Sequence, residues 1–129
     1  MDFVLGNFGL NSKVKASAEA PAYLHVGDFD KNGSVEQIIS CVTEDGNTYP
    51  MVLKGELQRA TPGIKQKFIK YKDYANKTVE ELYSDEQRDG MVLRQITTTE
   101  SAFLINDGKG NFSLQALPYQ AQYSPIRGI

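Results

Sequence analysis

The run Asp28-Phe29-Asp30-Lys31-Asn32-Gly33-Ser34-Val35-Glu36 places oxygen-bearing side chains at alternate positions around a glycine, between two short apolar stretches. Ala22-Tyr23-Leu24-His25-Val26 precedes it. Ser34-Val35-Glu36-Gln37-Ile38-Ile39-Ser40-Cys41-Val42 overlaps its end, is rich in β-branched residues, and runs to the turn-forming Glu44-Asp45-Gly46-Asn47. Short β-branched runs bounded by Asn, Asp and Gly read as strands. The acidic loop is therefore expected to join two antiparallel strands.

Such alternation is how a loop wraps a hard cation. Calcium takes roughly 6–8 oxygens at about 2.3–2.6 Å, from ligands at positions one, three, five and nine and a main-chain carbonyl at position seven. Asp28, Asp30, Asn32, the Ser34 carbonyl and Glu36 are the expected shell. A second closure also suits these residues. Asp and Asn side chains bond nearby main-chain amides, and Gly33 supplies a positive φ, so the same run can form an acidic turn without metal. Crowding of Asp28, Asp30 and Glu36 favours the cation, because their mutual repulsion is otherwise uncompensated. An EF-hand is disfavoured, since its twelfth position is a bidentate Glu between helices, whereas the twelfth position here is Ile39 between strands.

A strand, an Asp-x-Asp-x-Asn-Gly-x-x-Glu loop and a second strand resemble the calcium-loop blades of integrin-α-like β-propellers, the FG-GAP and VCBS repeat families. The run Phe103-Leu104-Ile105-Asn106-Asp107-Gly108-Lys109-Gly110-Asn111-Phe112-Ser113-Leu114 is similar to the outer hairpin of such blades. Gly6-Asn7-Phe8-Gly9-Leu10-Asn11, Tyr71-Lys72-Asp73-Tyr74-Ala75 and Leu117-Pro118-Tyr119-Gln120-Ala121-Gln122-Tyr123-Ser124-Pro125 resemble a segment of large secreted bacterial VCBS-repeat proteins of the ASPIC/UnbV-associated type. Two departures bear on binding: Asn32 stands where many such loops have Asp, and Glu36 where Asp is common. One fewer negative charge weakens the site. The resemblance implies antiparallel propeller-blade-like strands, a structural Ca²⁺, and an extracellular or cell-surface location. It also implies a noncatalytic module acting as scaffold or as a platform for a protein or glycan ligand. The alternative is part of a carbohydrate-active or other hydrolytic enzyme. Glycoside hydrolysis needs two carboxyls about 5–10 Å apart, and no spacing in the chain singles out such a pair, so no enzymatic activity is expected.

Propellers close from roughly 4–8 four-stranded blades, with about 40–45 residues in a WD40-like repeat. The 129 residues are too few for a ring. The expectation is a single domain over residues 1–129, an excised segment of a longer protein that forms an incomplete propeller. The fold class is mainly β with a helical insertion from Lys54 to Gly90, α+β overall. Within the insertion, Ile64, Phe68, Tyr71 and Tyr74-Ala75 recur at helical spacing, and Thr61-Pro62 supplies a start signal. One helix through Lys65–Ala75 is predicted. Thr78-Val79-Glu80-Glu81 has the form of a capping box, which starts a second helix ending near Tyr83-Ser84. Asp85–Gly90 reads as a polar turn, and Met91–Thr99 returns to strand.

A formal net charge of −2 provides no clustered basic surface for nucleic acid. No apolar run approaches the roughly 20 residues that span a bilayer. Met1–Gly6 lacks the basic and long apolar regions of a signal peptide. Cys41 is the only cysteine and His25 the only histidine, too few for the usual zinc shell. Cys41 is expected to be a buried thiol and His25 a structural residue. Glu80-Glu81 and Asp85-Glu86 read as solvated helix ends, and Tyr71, Tyr74, Tyr83, Tyr119 and Tyr123 as packing residues. Asn106–Asn111 is either a hairpin turn or a second ion loop, the turn being favoured. Asn32-Gly33-Ser34, Asn76-Lys77-Thr78 and Asn111-Phe112-Ser113 match the glycosylation pattern, by chance in a bacterial setting. Strand edges left open are expected to allow self-association.

Overall fold

A computed structural model describes residues 1–128. The chain is mixed α/β with antiparallel sheets and no closed barrel. A three-residue strand, β1 (Phe3–Leu5), precedes β2 (Ala22–Gly27), β3 (Glu36–Val42) and β4 (Thr48–Pro50). Five short helices follow: α1 (Lys54–Ala60), α2 (Gly63–Lys67), α3 (Tyr71–Tyr74), α4 (Val79–Leu82) and α5 (Asp85–Arg88). The chain then forms β5 (Val92–Ile96), β6 (Ala102–Asn106) and β7 (Phe112–Ala116).

Two sheets result. The first has the order β4-β3-β2-β5 and the second β1-β6-β7. In the first sheet, β2 and β3 pair from Ala22 opposite Cys41 to Gly27 opposite Glu36, so the acidic loop connects two antiparallel strands. After the helices, β5 returns along the free side of β2, Ala22 opposite Ile96. The helices thus connect the two edges of one sheet. This order is not a sequential four-strand meander, because β5 lies beside β2 rather than beyond β4.

The core lies between that sheet and the helices. Ile38 from β3 meets Leu57, Ile64, Phe68, Val79, Leu82 and Tyr83 from the helical segment, and Phe29 from the acidic loop enters the same cluster. Phe29 is fully buried, stacked on the Tyr83 ring with centroids 4.5 Å apart and planes at 27°. The Tyr83 hydroxyl shares a 2.8 Å hydrogen bond with Thr61 Oγ1, which donates to the Leu57 carbonyl at 3.0 Å. Burial pushes the Tyr83 phenol up to about 12, so it remains a neutral hydrogen-bonding group.

The helical segment differs from its predicted form. Lys54–Ala60 is already helical, and the single helix expected through Lys65–Ala75 is two short ones interrupted at Phe68-Ile69-Lys70. Phe68 leaves helical geometry at φ −123°, ψ 87°, which turns its ring into the core against Tyr74, edge to face at 6.3 Å. The Lys54 ammonium donates at 2.9 Å to the Ile69 carbonyl left free by the break. Thr61 does not cap the helix that follows it. It closes α1 from within the core, and the Pro62 at the start of α2 makes no side-chain cap. Thr78 and Glu81 do form the expected capping box, with Thr78 N–H donating to Glu81 Oε2 at 3.0 Å. Asp85–Arg88 is a helix rather than a turn, started by a second capping box between Ser84 and Gln87.

The second sheet draws the two ends of the chain together. Phe3 faces Leu104 and Leu5 faces Ala102, while β6 and β7 form the Asn106–Asn111 hairpin. Beyond β1, Gly9 N–H donates to the Thr99 carbonyl at 2.8 Å and Leu10 N–H to the Gln122 carbonyl at 2.9 Å. Gln122 is buried and completes the join, accepting from Ser101 N–H at 2.9 Å and donating to the Ser101 carbonyl at 2.8 Å. Gly9 has φ +76°, and a Cβ there would stand 2.5 Å from the Gln122 carbonyl oxygen, so only glycine fits.

Phe29→Ala is expected to destabilise the fold by about 3–5 kcal/mol through loss of a buried ring and the cavity left behind. Urea unfolding of the variant beside the parent protein measures it. A change below about 1 kcal/mol would mean that the loop and the helices are not one packed unit.

Candidate metal site on the β2–β3 loop

The loop closes by side chains bonding its own main chain. Asp28 accepts from Asn32 N–H at 2.9 Å through one oxygen and from Gly33 N–H at 2.8 Å through the other. Asp30 accepts from Asn32 N–H at 3.3 Å. Asn32 Oδ1 accepts from Ser34 N–H at 2.7 Å. Glu36 reaches back across the loop mouth to Phe29 N–H at 3.0 Å. Lys31 and Gly33 both take positive φ, 57° and 89°. Gly33 adopts that region at no steric cost, and its position is open, with no heavy atom near where a Cβ would stand.

This folding brings three of the predicted ligands together. One oxygen from each of Asp28, Asp30 and Glu36 lies within 4.8 Å of the others, in half-buried positions. Asn32 and Ser34 lie on the exposed side of the loop, with the Asn32 amide oxygen turned to the Ser34 N–H. Among the described residues, no Lys, Arg or His forms an ion pair with the three carboxylates; the two salt bridges are Lys77–Glu81 and Arg88–Asp85. Lys31, within the loop itself, points away and donates to the Asp89 carbonyl at 3.1 Å. The oxygens that converge are three carboxylates, while the Asn32 amide oxygen is engaged by the Ser34 N–H. All are hard oxygen donors, which suit calcium or magnesium rather than softer metals.

The electrostatics follow from the crowding. Partial burial pushes the Glu36 carboxyl above its ordinary value, the Phe29 N–H pulls it down, and the charges of Asp30 and Asp28 push it up further.

Residues outside the metal-binding pattern hold the loop in place. Gln87, the third residue of α5, accepts from Ser84 N–H at 3.1 Å and donates through Nε2 to the Phe29 carbonyl at 3.0 Å. Phe29 is anchored on both sides, by its ring in the core and by Gln87 at its carbonyl. The form Ser84-x-x-Gln87 is the sequence signal for this helix start. No local signal marks the bond from Gln87 to the loop.

The other candidate positions are structural. Asp107 closes the β6–β7 hairpin, accepting from Asn111 Nδ2 at 2.7 Å, Lys109 N–H at 2.7 Å and Asn111 N–H at 3.1 Å, beside Asn106, whose Oδ1 accepts from Gly108 N–H at 2.7 Å. The bonds to Asp107, that from the Asn111 amide foremost, hold its carboxyl below the usual range. Asp45 closes the β3–β4 turn in the same manner. The Thr43 hydroxyl, both nitrogens of Asn47 and the Tyr49 hydroxyl at 2.8 Å donate to it, and they hold its carboxyl well below the usual range. Each turn has one carboxylate with its own donors, unlike the three that converge on the β2–β3 loop. Cys41 is only half buried, its thiol directed at Met51 Sδ at 3.1 Å. His25 is buried with Nε2 2.8 Å from Ser40 Oγ, while its Nδ1 has no hydrogen-bond partner. No family model, curated protein or solved structure matches the chain.

Two pH responses follow. Burial lowers the His25 pKa, with Glu80 opposing and Arg88 assisting. A depressed histidine contributes stability that is present above its unfolded value near 6.5 and is lost as pH falls toward the folded value. Unfolding at pH 7.5 and 5.5 is expected to show a larger loss for the parent protein than for His25→Phe. Equal losses would remove the histidine from the account. Glu36 has the opposite sign. With a raised folded pKa, its favourable contribution is complete below its unfolded value and is lost as pH rises through the folded one. In chelator-treated protein, Glu36→Gln is expected to be the more stable form at pH 7.5, an advantage that shrinks on acidification. A variant less stable at both pH values would show that the carboxylate crowding carries no cost.

Proposed function

We propose that this chain is a noncatalytic, calcium-stabilised repeat module of a secreted or surface protein. Asp28, Asp30, Asn32, the Ser34 carbonyl and Glu36 would hold the ion, which would supply structural charge compensation and no reaction step. The observation that carries the proposal is the convergence of three carboxylate oxygens within 4.8 Å, with no basic partner among the described residues, on a loop between antiparallel strands. The likeness of the loop and of the Asn106–Asn111 hairpin to FG-GAP and VCBS blades supports the same reading. The four-stranded sheet has the strand number and antiparallel pairing of a blade, although its β4-β3-β2-β5 order is not a sequential meander. With one charge fewer than an all-Asp loop, the site is suited to the weak affinities of extracellular modules, with Kd of about 10⁻⁴–10⁻³ M. Its role is then that of a scaffold or of a platform for a protein or glycan ligand.

The test is thermal unfolding of chelator-stripped protein across a calcium titration, with magnesium as control. Binding to the native state alone stabilises by about 2.7 kcal/mol at a hundredfold excess over Kd. A calcium-dependent rise in Tm is expected, abolished by Asp30→Ala. The absence of a rise at about 100 mM calcium, a hundredfold above the weaker Kd, would leave the loop as an acidic turn. If Asp30→Ala still responds to calcium, the ion sits elsewhere.

A further inference from the structure

The second sheet has one face made entirely of apolar residues, apart from Asn106 at its end. Alternation along the paired strands brings Phe3 and Leu5 of β1, Ala102 and Leu104 of β6, and Phe112, Leu114 and Ala116 of β7 to the same side. Phe3 and Phe112 touch on it, with ring centroids 6.0 Å apart. Leu114 is 61% exposed, Phe112 47% and Phe3 44%. Every residue of β7 is exposed. Apolar faces of this kind mark interaction sites when they are contiguous.

The exposed area of the molecule points the same way. A compact monomer of 14.3 kDa presents about 6,800 Å², whereas this chain presents 8680 Å². The excess of about 1,900 Å² is more than the roughly 800 Å² that each partner buries in a standard stable interface.

The face is also graded in size along the strands. Its Phe3, Phe112 and Leu114 end is bulky, while the Ala102 and Ala116 end is small and opens into a cavity of about 680 Å³ walled by Leu5, Gly6, Thr98 and Glu100. We propose that this face is the interface of a homodimer. Two copies stack face to face about a two-fold axis lying between the sheets and perpendicular to the strands. That operation sets the Phe112–Leu114 end of each copy over the Ala102–Ala116 end of the other, so each bulky end fills its partner's cavity. The contact is isologous, with residue i meeting j and j meeting i. Sheets packed this way lie about 10 Å apart. The strand residues of the face carry no charge, and the charged group beside it, Glu100, stands on the cavity wall rather than on the face. The β4 edge of the first sheet is a poorer docking surface, because β4 has three residues and ends at Pro50, and prolines and short strands blunt an edge. The proposal is independent of calcium binding.

The experiment is sedimentation of the full chain over a concentration series, beside Leu114→Glu. A monomer–dimer equilibrium is expected. The variant should weaken it by at least about a hundredfold, since the dimer would bury an unpaired carboxylate, while keeping the parent's circular dichroism. In a Cys41→Ser background, Leu114→Cys is then mixed with Ala102→Cys and treated with a bismaleimide about 10 Å long, which matches the sheet separation, because cysteines more than about 7 Å apart at Cα form no direct disulfide. The mixed cross-link should exceed either homodimeric one. Ala102 lies on the central strand, out of reach of any edge-to-edge pairing, so this product separates the face from the strand edges. A parent protein that stays monomeric at all concentrations would overturn the proposal and leave the face to a different partner. A dimer that survives Leu114→Glu, or a mixture that yields no mixed cross-link, would overturn it as well.

Discussion

Phe29 belongs to two structures at once. As the second residue of the acidic loop it lies between Asp28 and Asp30, and its main-chain N–H is the donor that draws Glu36 across the loop. As a fully buried ring it stacks on Tyr83 in the helical core. Phe29 thereby ties the acidic loop to the helical core. The β2–β3 pairing brings Asp28 and Glu36 to the two ends of the loop, but a loop held only at its ends could open outward and relieve the repulsion. The buried ring prevents that, and Gln87 holds the carbonyl of the same residue. Helix packing thereby sustains a charge arrangement that is unfavourable when considered alone. That is the pattern expected of a binding site whose cost is offset elsewhere in the fold.

The three carboxylate turns of the chain separate geometry from function. Asp45 and Asp107 each sit at a hairpin, each gathers several donors, and each is held below the usual carboxylate range by those bonds. They are satisfied. On the β2–β3 loop, Glu36 moves in the opposite direction, because burial and two neighbouring charges outweigh its main-chain donors. Similar Asx-type bonding therefore yields two self-sufficient turns and one cluster short of positive charge. The difference lies in how many carboxylates share the space.

Much of this was legible in the residues. Strand composition placed β2, β3 and β5, the Asn-Asp-Gly turn signal and the likeness to a blade's outer hairpin placed β6 and β7, and the form Thr78-x-x-Glu81 placed the start of α4. Alternation named Asp28, Asp30 and Glu36 as a group. The misses share a cause. β1 is three residues long and is a strand only because β6, far along the sequence, pairs with it. The helix through Lys65–Ala75 has the correct period, yet the core needs the Phe68 ring at a point that a continuous helix would not reach, and tertiary packing overrides the pattern. Ser84-x-x-Gln87 carries the same capping signal as Thr78-x-x-Glu81, but the polar run around it reads as a turn. The anchoring of the loop by Phe29 and Gln87 leaves no local trace, since each depends on a contact between segments more than fifty residues apart.

Gln87 closes the first turn of α5 and also bonds the Phe29 carbonyl, so fraying of that helix removes one of the loop's two anchors. A four-residue helix has little cooperativity of its own, and its opening is the low-energy route by which the loop can loosen. Through that bond, opening of α5 and loosening of the β2–β3 loop are coupled, in the sense used for native-state hydrogen exchange. A ligand that tightens the loop is then expected to slow exchange in α5 without touching that helix.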